Sequence, residues 1–223
     1  MTRLFTPAWW LPNGHFQTIW ASKISRGEHI RFGIERFSFS DTDETSLAWF
    51  PHHLSLKSLG DEDAATPIVV VLHGLEGSAE SNYTRGLMQQ IQTYGWRSVV
   101  LHFRGCHEGP NKLDRSYHSG DTEDLREFLS EVKTVAPNAP IYAVGYSLGG
   151  NVLLKFLGEY GDSAAIDAAV AVSVPFKLDH AAIRLTQGAS KLYQHVLLSS
   201  LKQKFFNKFA SKSCPLDKSL VAA

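Results

Sequence analysis

Residues 143–151 read AVGYSLGGN, with Ser147 between Gly145 and Gly149 in the pattern G-x-S-x-G. A serine hydroxyl is a weak nucleophile in water. It becomes useful when the backbone presents it, when amide donors stand where negative charge develops, and when a base takes its proton. The spacing addresses the first condition. A glycine on either side lets a strand turn sharply into a helix around a strained serine, and side chains at 145 or 149 would collide with neighbouring elements. The second condition has two candidate donors. The helix expected to start at Leu148 offers its positive end, so the Leu148 amide is one. The other should come from a loop after an earlier strand, and the Leu75 amide of HGLEG (73–77) is the choice, with His73 and Gly74 in support. A phosphate loop is excluded: no Gly-Lys-Ser/Thr occurs, and neither glycine cluster spells G-x-G-x-x-G.

These residues need a frame. PIVVVLHG (67–74), RSVVLHFRG (97–105), PIYAVGYS (140–147) and IDAAVAVSVP (166–175) read as strands rich in β-branched or small apolar residues. Between them, SNYTRGLMQQIQTYGW, GDTEDLREFLSEVKTVAP and LGGNVLLKFLGEYG read as helices, the last ended by Gly161 and the second with Asp121 near its start. Such alternation predicts a mostly parallel α/β sheet covered by helices on both faces. The alternating IRFGIERFSFS (30–40) and SLAWF (46–50) predict an antiparallel N-terminal pair. Residues 1–26, with Trp9, Trp10, Phe16 and Trp20, are expected to form an ordered lead-in packed on the core, and 176–223 a partial helical cap region. The whole of 1–223 reads as one domain.

Composition bounds the partners. The 223 residues are 43% hydrophobic and 20% charged, with 22 Lys+Arg against 22 Asp+Glu. That balance suits a single globular core and argues against a nucleic-acid surface. Cys106 and Cys214 are too few for a disulfide framework. No apolar run reaches membrane-spanning length, and the opening residues lack the apolar core of a secretory leader, so a cytoplasmic location with no transmembrane segment is expected. His52 and His53 have no spaced companions, and a site from His102, His107 and His118 is supported only weakly by spacing, so no metal and no cofactor are expected.

The tracts HGLEGSAESNYTRGL (73–87), FRGCHEGPNKLDRSYHSGDTEDL (103–125), VGYSLGGNVLLKFLGE (144–159), VSVPFKL (172–178) and LPNGHFQTIWAS (11–22) resemble the YheT-type branch of the α/β-hydrolase superfamily, from the N-terminus through about Phe206. The resemblance implies an α/β-hydrolase fold, a serine esterase or lipase-like activity on small-molecule acyl esters, and Ser147 as nucleophile.

The third condition is where the sequence departs from that pattern. Such hydrolases carry the triad in the order Ser, Asp or Glu, His, the last two after later strands. After Ser147 the histidines are His180 and His195, and the carboxylates are Glu159, Asp162, Asp167, Asp179 and Asp217. Glu159 and Asp162 end a helix leading away from the serine, Asp167 starts a strand at the wrong end of the sheet, and Asp179 and His180 are sequence neighbours, poorly placed to orient one another. His195 falls on a helix face. The closing SKSCPLDKSLVAA matches no acid or histidine motif. The chain therefore reads as a C-terminally truncated member with impaired turnover. The alternative is a non-catalytic interaction module. Its last strand is expected to lie at a sheet edge open to self-association.

Overall fold

A computed structural model describes residues 6–21, 29–60, 65–106 and 109–222. Six strands form one sheet: β1 (Gly33–Ser38), β2 (Glu44–Phe50), β3 (Ile68–Leu72), β4 (Arg97–Leu101), β5 (Ile141–Tyr146) and β6 (Ala168–Val172), in the order β1-β2-β4-β3-β5-β6. β1 pairs antiparallel with β2, and β2 with β4; the pairs β4/β3, β3/β5 and β5/β6 are parallel. This is the mostly parallel sheet with antiparallel N-terminal strands that the alternation predicts.

The helices are α1 (Gly14–Ile19), α2 (Leu56–Leu59), α3 (Asn82–Gln92), α4 (Glu123–Val135), α5 (Leu148–Tyr160), α6 (Leu178–Leu185), α7 (Ser190–Lys208) and α8 (Lys218–Ala222). Side chains alternate across a strand, so β3 feeds two cores. Ile68, Val70 and Leu72 join Phe128 and Leu129 of α4 and Leu153 and Phe156 of α5 on one face. Val69 and Val71 join Met88 and Ile91 of α3 on the other. All five β3 residues are buried, which explains why this strand shows no polar alternation in sequence.

Strand order places the chemistry. From β3 the chain crosses to β4 on one side and returns to β5 on the other, so the order reverses at β3. A crevice opens at such a point beyond the carboxyl ends of the strands. Leu72 pairs with Gly145 in the β3/β5 register. Continuing that register by two residues brings Gly74 beside Ser147.

One expectation needs correction. The aromatic lead-in does not pack on the core: α1 buries no residue, and Trp9 is 91% exposed, with Phe16 also exposed. Trp10 and Trp20 instead meet edge to face, with centroids 4.5 Å apart. The segment touches the body through polar groups, with Asn82 Nδ2 donating to the Ala21 carbonyl and His15 meeting the Tyr193 hydroxyl. β6, by contrast, lies at the sheet edge, as expected of the last strand. It ends the sheet order, and Val170 is 57% exposed. No helix among the described residues is long and apolar enough to cross a membrane.

Candidate active site

β5 runs into α5 through Ser147, whose φ of 51° and ψ of −115° lie outside the regions favoured by L-residues. Such a conformation costs roughly 1–3 kcal/mol and persists only where the surroundings enforce it. The Ser147 N–H is tied to the Val172 carbonyl of β6 at 2.9 Å, while its own carbonyl accepts from Asn151 N in the first turn of α5. The flanking glycines are sterically required. A β-carbon at Gly145 would lie 2.6 Å from the Gly149 oxygen, and one at Gly149 would lie 2.5 Å from both the Leu72 and His73 oxygens. α5 can therefore start only where it touches the carbonyl end of β3.

The loop after β3 lies against the serine. A β-carbon added at Gly74 would sit 3.4 Å from the Ser147 β-carbon. Gly77 N donates to Gly74 O at 2.9 Å, closing a turn over 74–77. Among the described residues neither the Leu75 nor the Leu148 amide has a hydrogen-bond partner, and the Ser147 side chain makes no capping bond. Two unpartnered N–H groups thus stand on the two segments that meet at the serine.

His73 is fully buried, and its role is fixed by its neighbours. Nε2 accepts from Phe103 N at 3.2 Å, which leaves Nδ1 as the protonated nitrogen, donating to the Gly74 carbonyl at 2.7 Å. Burial pushes its pKa down from 6.5 to about 4, so it stays neutral and shapes the loop. His102 is likewise occupied: Nε2 accepts from Ala79 N at 3.0 Å, so Nδ1 donates towards Ser46 O at the same distance. His118 accepts from Gly120 N through Nδ1. His107 lies outside the described residues. No group of three potential ligands able to hold a metal is found among the described residues.

None of the base candidates is hydrogen-bonded to the serine among the described residues. Asp179 and His180 approach one another only at 3.8 Å, both largely exposed, and His195 is exposed on α7. Asp167 fastens the start of β5, accepting from Ile141 N at 2.7 Å, at the opposite end of the sheet from Ser147. Glu159 accepts from Thr122 and Lys155 at the far end of α5. Among the described residues no histidine hydrogen-bonds the Ser147 hydroxyl.

A cavity of about 760 Å³ opens beside these groups, lined by Leu75, Leu148, Tyr117, Leu198, Leu201 and Phe205 among others. Its size falls in the usual range of ligand pockets, roughly 300–1,000 Å³. α7 forms one wall, and the loop after β4 forms the opposite one. That loop is anchored by Arg104, which makes a fork to both Asp124 oxygens (2.7 and 2.8 Å) and reaches Asp41 (2.7 Å) and Asp43 (3.0 Å). Burial works against the Asp43 carboxylate. Donors from Asn111, the Lys112 and Glu44 amides and Arg104 outweigh it, lowering its pKa to about 2. Lys208 of α7 closes the same loop, donating to Asn111 Oδ1 and the Arg115 carbonyl.

The family described as alpha/beta hydrolase fold matches residues 67–218. The chain belongs to the α/β hydrolase family. Its YheT-type resemblance is borne out by the Escherichia coli protein named "Putative esterase YheT", 39% identical over 93% of this chain and 59% of that protein. Phospholipase ABHD3 of Homo sapiens is 30% identical over 93% of this chain and 50% of its own length. The chain thus spans half to three-fifths of these curated relatives. A solved a/b serine hydrolase without lid, from Xanthomonas campestris, superposes with a TM-score of 0.50 at 16% identity, over 69% of this chain and 66% of that one. That likeness concerns the fold.

Five residues of this crevice escape a reading of spacing. Tyr83 takes the Gly74 amide on its hydroxyl at 3.0 Å. Tyr117, Glu76, Ser200 and Lys204 form one hydrogen-bonded group beside Leu75. Positive φ at Glu76, 58°, would have been the signal, but a sequence does not print it.

Proposed function

We propose that this chain is a serine hydrolase of carboxylic acyl esters. Ser147 attacks the ester carbonyl carbon, the Leu75 and Leu148 amides hold the resulting oxyanion, and the apolar cavity beside them takes the acyl chain. The alcohol then leaves with a proton, and water releases the acid. The single observation that carries this reading is the meeting of a strained, uncapped serine with two unpartnered amides at the reversal point of the sheet. The names of the relatives agree with it: a phospholipase, an esterase by name, and the Monoacylglycerol lipase of Saccharomyces cerevisiae, 31% identical over 68% of this chain and 34% of its own length.

A second reading draws on one observation as well: among the described residues no histidine stands at the serine hydroxyl. On that reading the chain binds acyl groups and turns over slowly or not at all. Loss of triad members in a serine protease lowers turnover about a millionfold, leaving roughly a thousandfold over water from oxyanion hole and binding. An alkyl fluorophosphonate separates the two. Slow phosphonylation confined to Ser147, lost in Ser147→Ala, supports the nucleophile. No adduct at millimolar probe, or adducts elsewhere only, supports the binding module.

A further inference from the structure

We infer that Glu76 is a positioning residue through which helix α7 holds the oxyanion loop in place. The inference rests on the reading of the Leu75 amide as an oxyanion donor. It starts from a mismatch between residue and backbone. Glu76 is the third residue of the turn 74–77 and has φ of 58°, a conformation that glycine or asparagine adopts more readily. Glycines stand at 74 and 77, yet a glutamate occupies the strained position. Strain of that kind needs side-chain partners to sustain it.

Those partners come from two directions. The Tyr117 hydroxyl accepts from the Glu76 N–H at 3.1 Å and donates to the Glu76 Oε1 at 2.8 Å, locking the residue's backbone to its own side chain. Tyr117 in turn stacks on Phe103, 5.1 Å between centroids at 7°, and Phe103 N donates to His73. From α7, Ser200 donates to Oε2 at 2.5 Å, and Lys204 lies 3.0 and 3.1 Å from the two carboxylate oxygens. Ser200 and Lys204 are one turn apart and share a helix face. The carboxylate side chain is only 7% exposed. It is therefore bound on all sides, and two of its three partners, Ser200 and Lys204, belong to the helix that walls the cavity.

The consequence is a coupling. Leu198, Leu201 and Phe205 put α7 over the cavity, while Ser200 and Lys204 of the same helix hold the residue that follows Leu75. Seating α7 encloses the acyl site and fixes the oxyanion donor together. Lifting α7 frees the Glu76 carboxylate and lets the turn relax.

The test uses the full chain with Glu76→Gln, Glu76→Gly, Lys204→Met and Lys204→Arg. Amide hydrogen exchange is read at 74–77, and the phosphonylation rate constant is separated from probe binding. Lys204→Met, a change on α7, should speed exchange at 74–77 at least tenfold, and Lys204→Arg should restore protection. Glu76→Gln and Lys204→Met should each slow phosphonylation about 10- to 100-fold, as for a displaced donor, with a smaller effect on probe affinity. Their effects should fall short of adding in the double variant. Glu76→Gly separates positioning from folding: it removes the backbone strain, so the melting temperature should hold while phosphonylation slows. Unchanged exchange at 74–77 in Lys204→Met overturns the coupling. So does a wild-type phosphonylation rate in both Glu76→Gln and Glu76→Gly. If the unmodified chain takes no probe at Ser147, the nucleophile reading fails, and the exchange experiment still decides the coupling.

Discussion

His73 should make this fold lose stability in mild acid, well above the range where carboxylates titrate. Its ring is fully buried, with Nδ1 donating to Gly74 O and Nε2 accepting from Phe103 N, so an added proton at Nε2 would break the second bond and leave a buried charge. Burial holds its pKa at about 4 in the folded chain, against 6.5 for an ordinary histidine. The unfolded chain therefore binds a proton that the folded chain refuses. Acid favours unfolding, and stability falls as pH drops through 6.5, levelling off below about 4. The full difference is about 3 kcal/mol, and by pH 5 about 2 kcal/mol of it is lost. With a urea slope of roughly 2–3 kcal/mol per molar, the unfolding midpoint should fall by about 0.7–1 M between pH 7 and pH 5.

Asp43 and Glu76, both held below their ordinary values, add their losses at lower pH still. His73→Asn keeps a donor for Gly74 O but cannot titrate. It should start about 1–3 kcal/mol less stable because Phe103 N loses its acceptor, and its midpoint should move much less over the same pH interval. Urea titrations of both proteins at pH 7, 6 and 5 decide the matter. Parallel pH dependences in the two would refute the assignment to His73.

Three further outcomes follow from packing and charge. Gly149→Ala puts a methyl 2.5 Å from two backbone oxygens that cannot rotate aside; overpacking of this kind costs about 3 kcal/mol, or roughly 6–12 °C in melting temperature for a domain this size, and a melt within two degrees would contradict it. Arg104→Met strands the carboxylates of Asp43 and Asp124, both buried; urea unfolding should register a loss of about 3–5 kcal/mol, whereas a surface-like change below 1 kcal/mol would show that the network is solvated. We also propose that the exposed β6 edge mediates self-association, so Val170→Lys should shift light-scattering mass towards monomer at high concentration, and an unchanged mass would place the contact elsewhere.

What could be read from the sequence is what is local in the chain. The elbow lies within five residues, 145–149, and the strands around it reveal themselves by β-branched runs, so both the sheet class and the steric role of the glycines were legible. The groups holding the crevice together are not local. Glu76 meets Lys204 across 128 residues, Lys208 meets Asn111 across 97, and Asp43 meets Arg104 across 61. No periodicity marks such pairs, and each partner read alone looks like a solvated polar or charged side chain. The lead-in failed for the opposite reason. Its tryptophans were read by type, but burial depends on a receiving surface, and here Trp10 and Trp20 mainly receive each other.

The loop 73–77 shows why those distant contacts would matter to the chemistry we propose. Amide donors stabilise an oxyanion well only if they need no rearrangement when charge appears. A five-residue turn has little intrinsic rigidity, so it must borrow it. His73 binds the Gly74 carbonyl, Tyr83 the Gly74 amide, Gly77 closes the turn, and Tyr117 takes the Glu76 amide. The contacts to the Gly74 carbonyl and the Glu76 amide fix the two peptides that flank Leu75, the Tyr83 contact fixes the one before them, and none consumes the Leu75 amide itself. The Gly74 amide and carbonyl and the Glu76 amide are thus held from within the turn, from α3 and from the loop after β4, while the Leu75 amide stays open, which is the condition our proposal sets for a donor to an incoming oxygen.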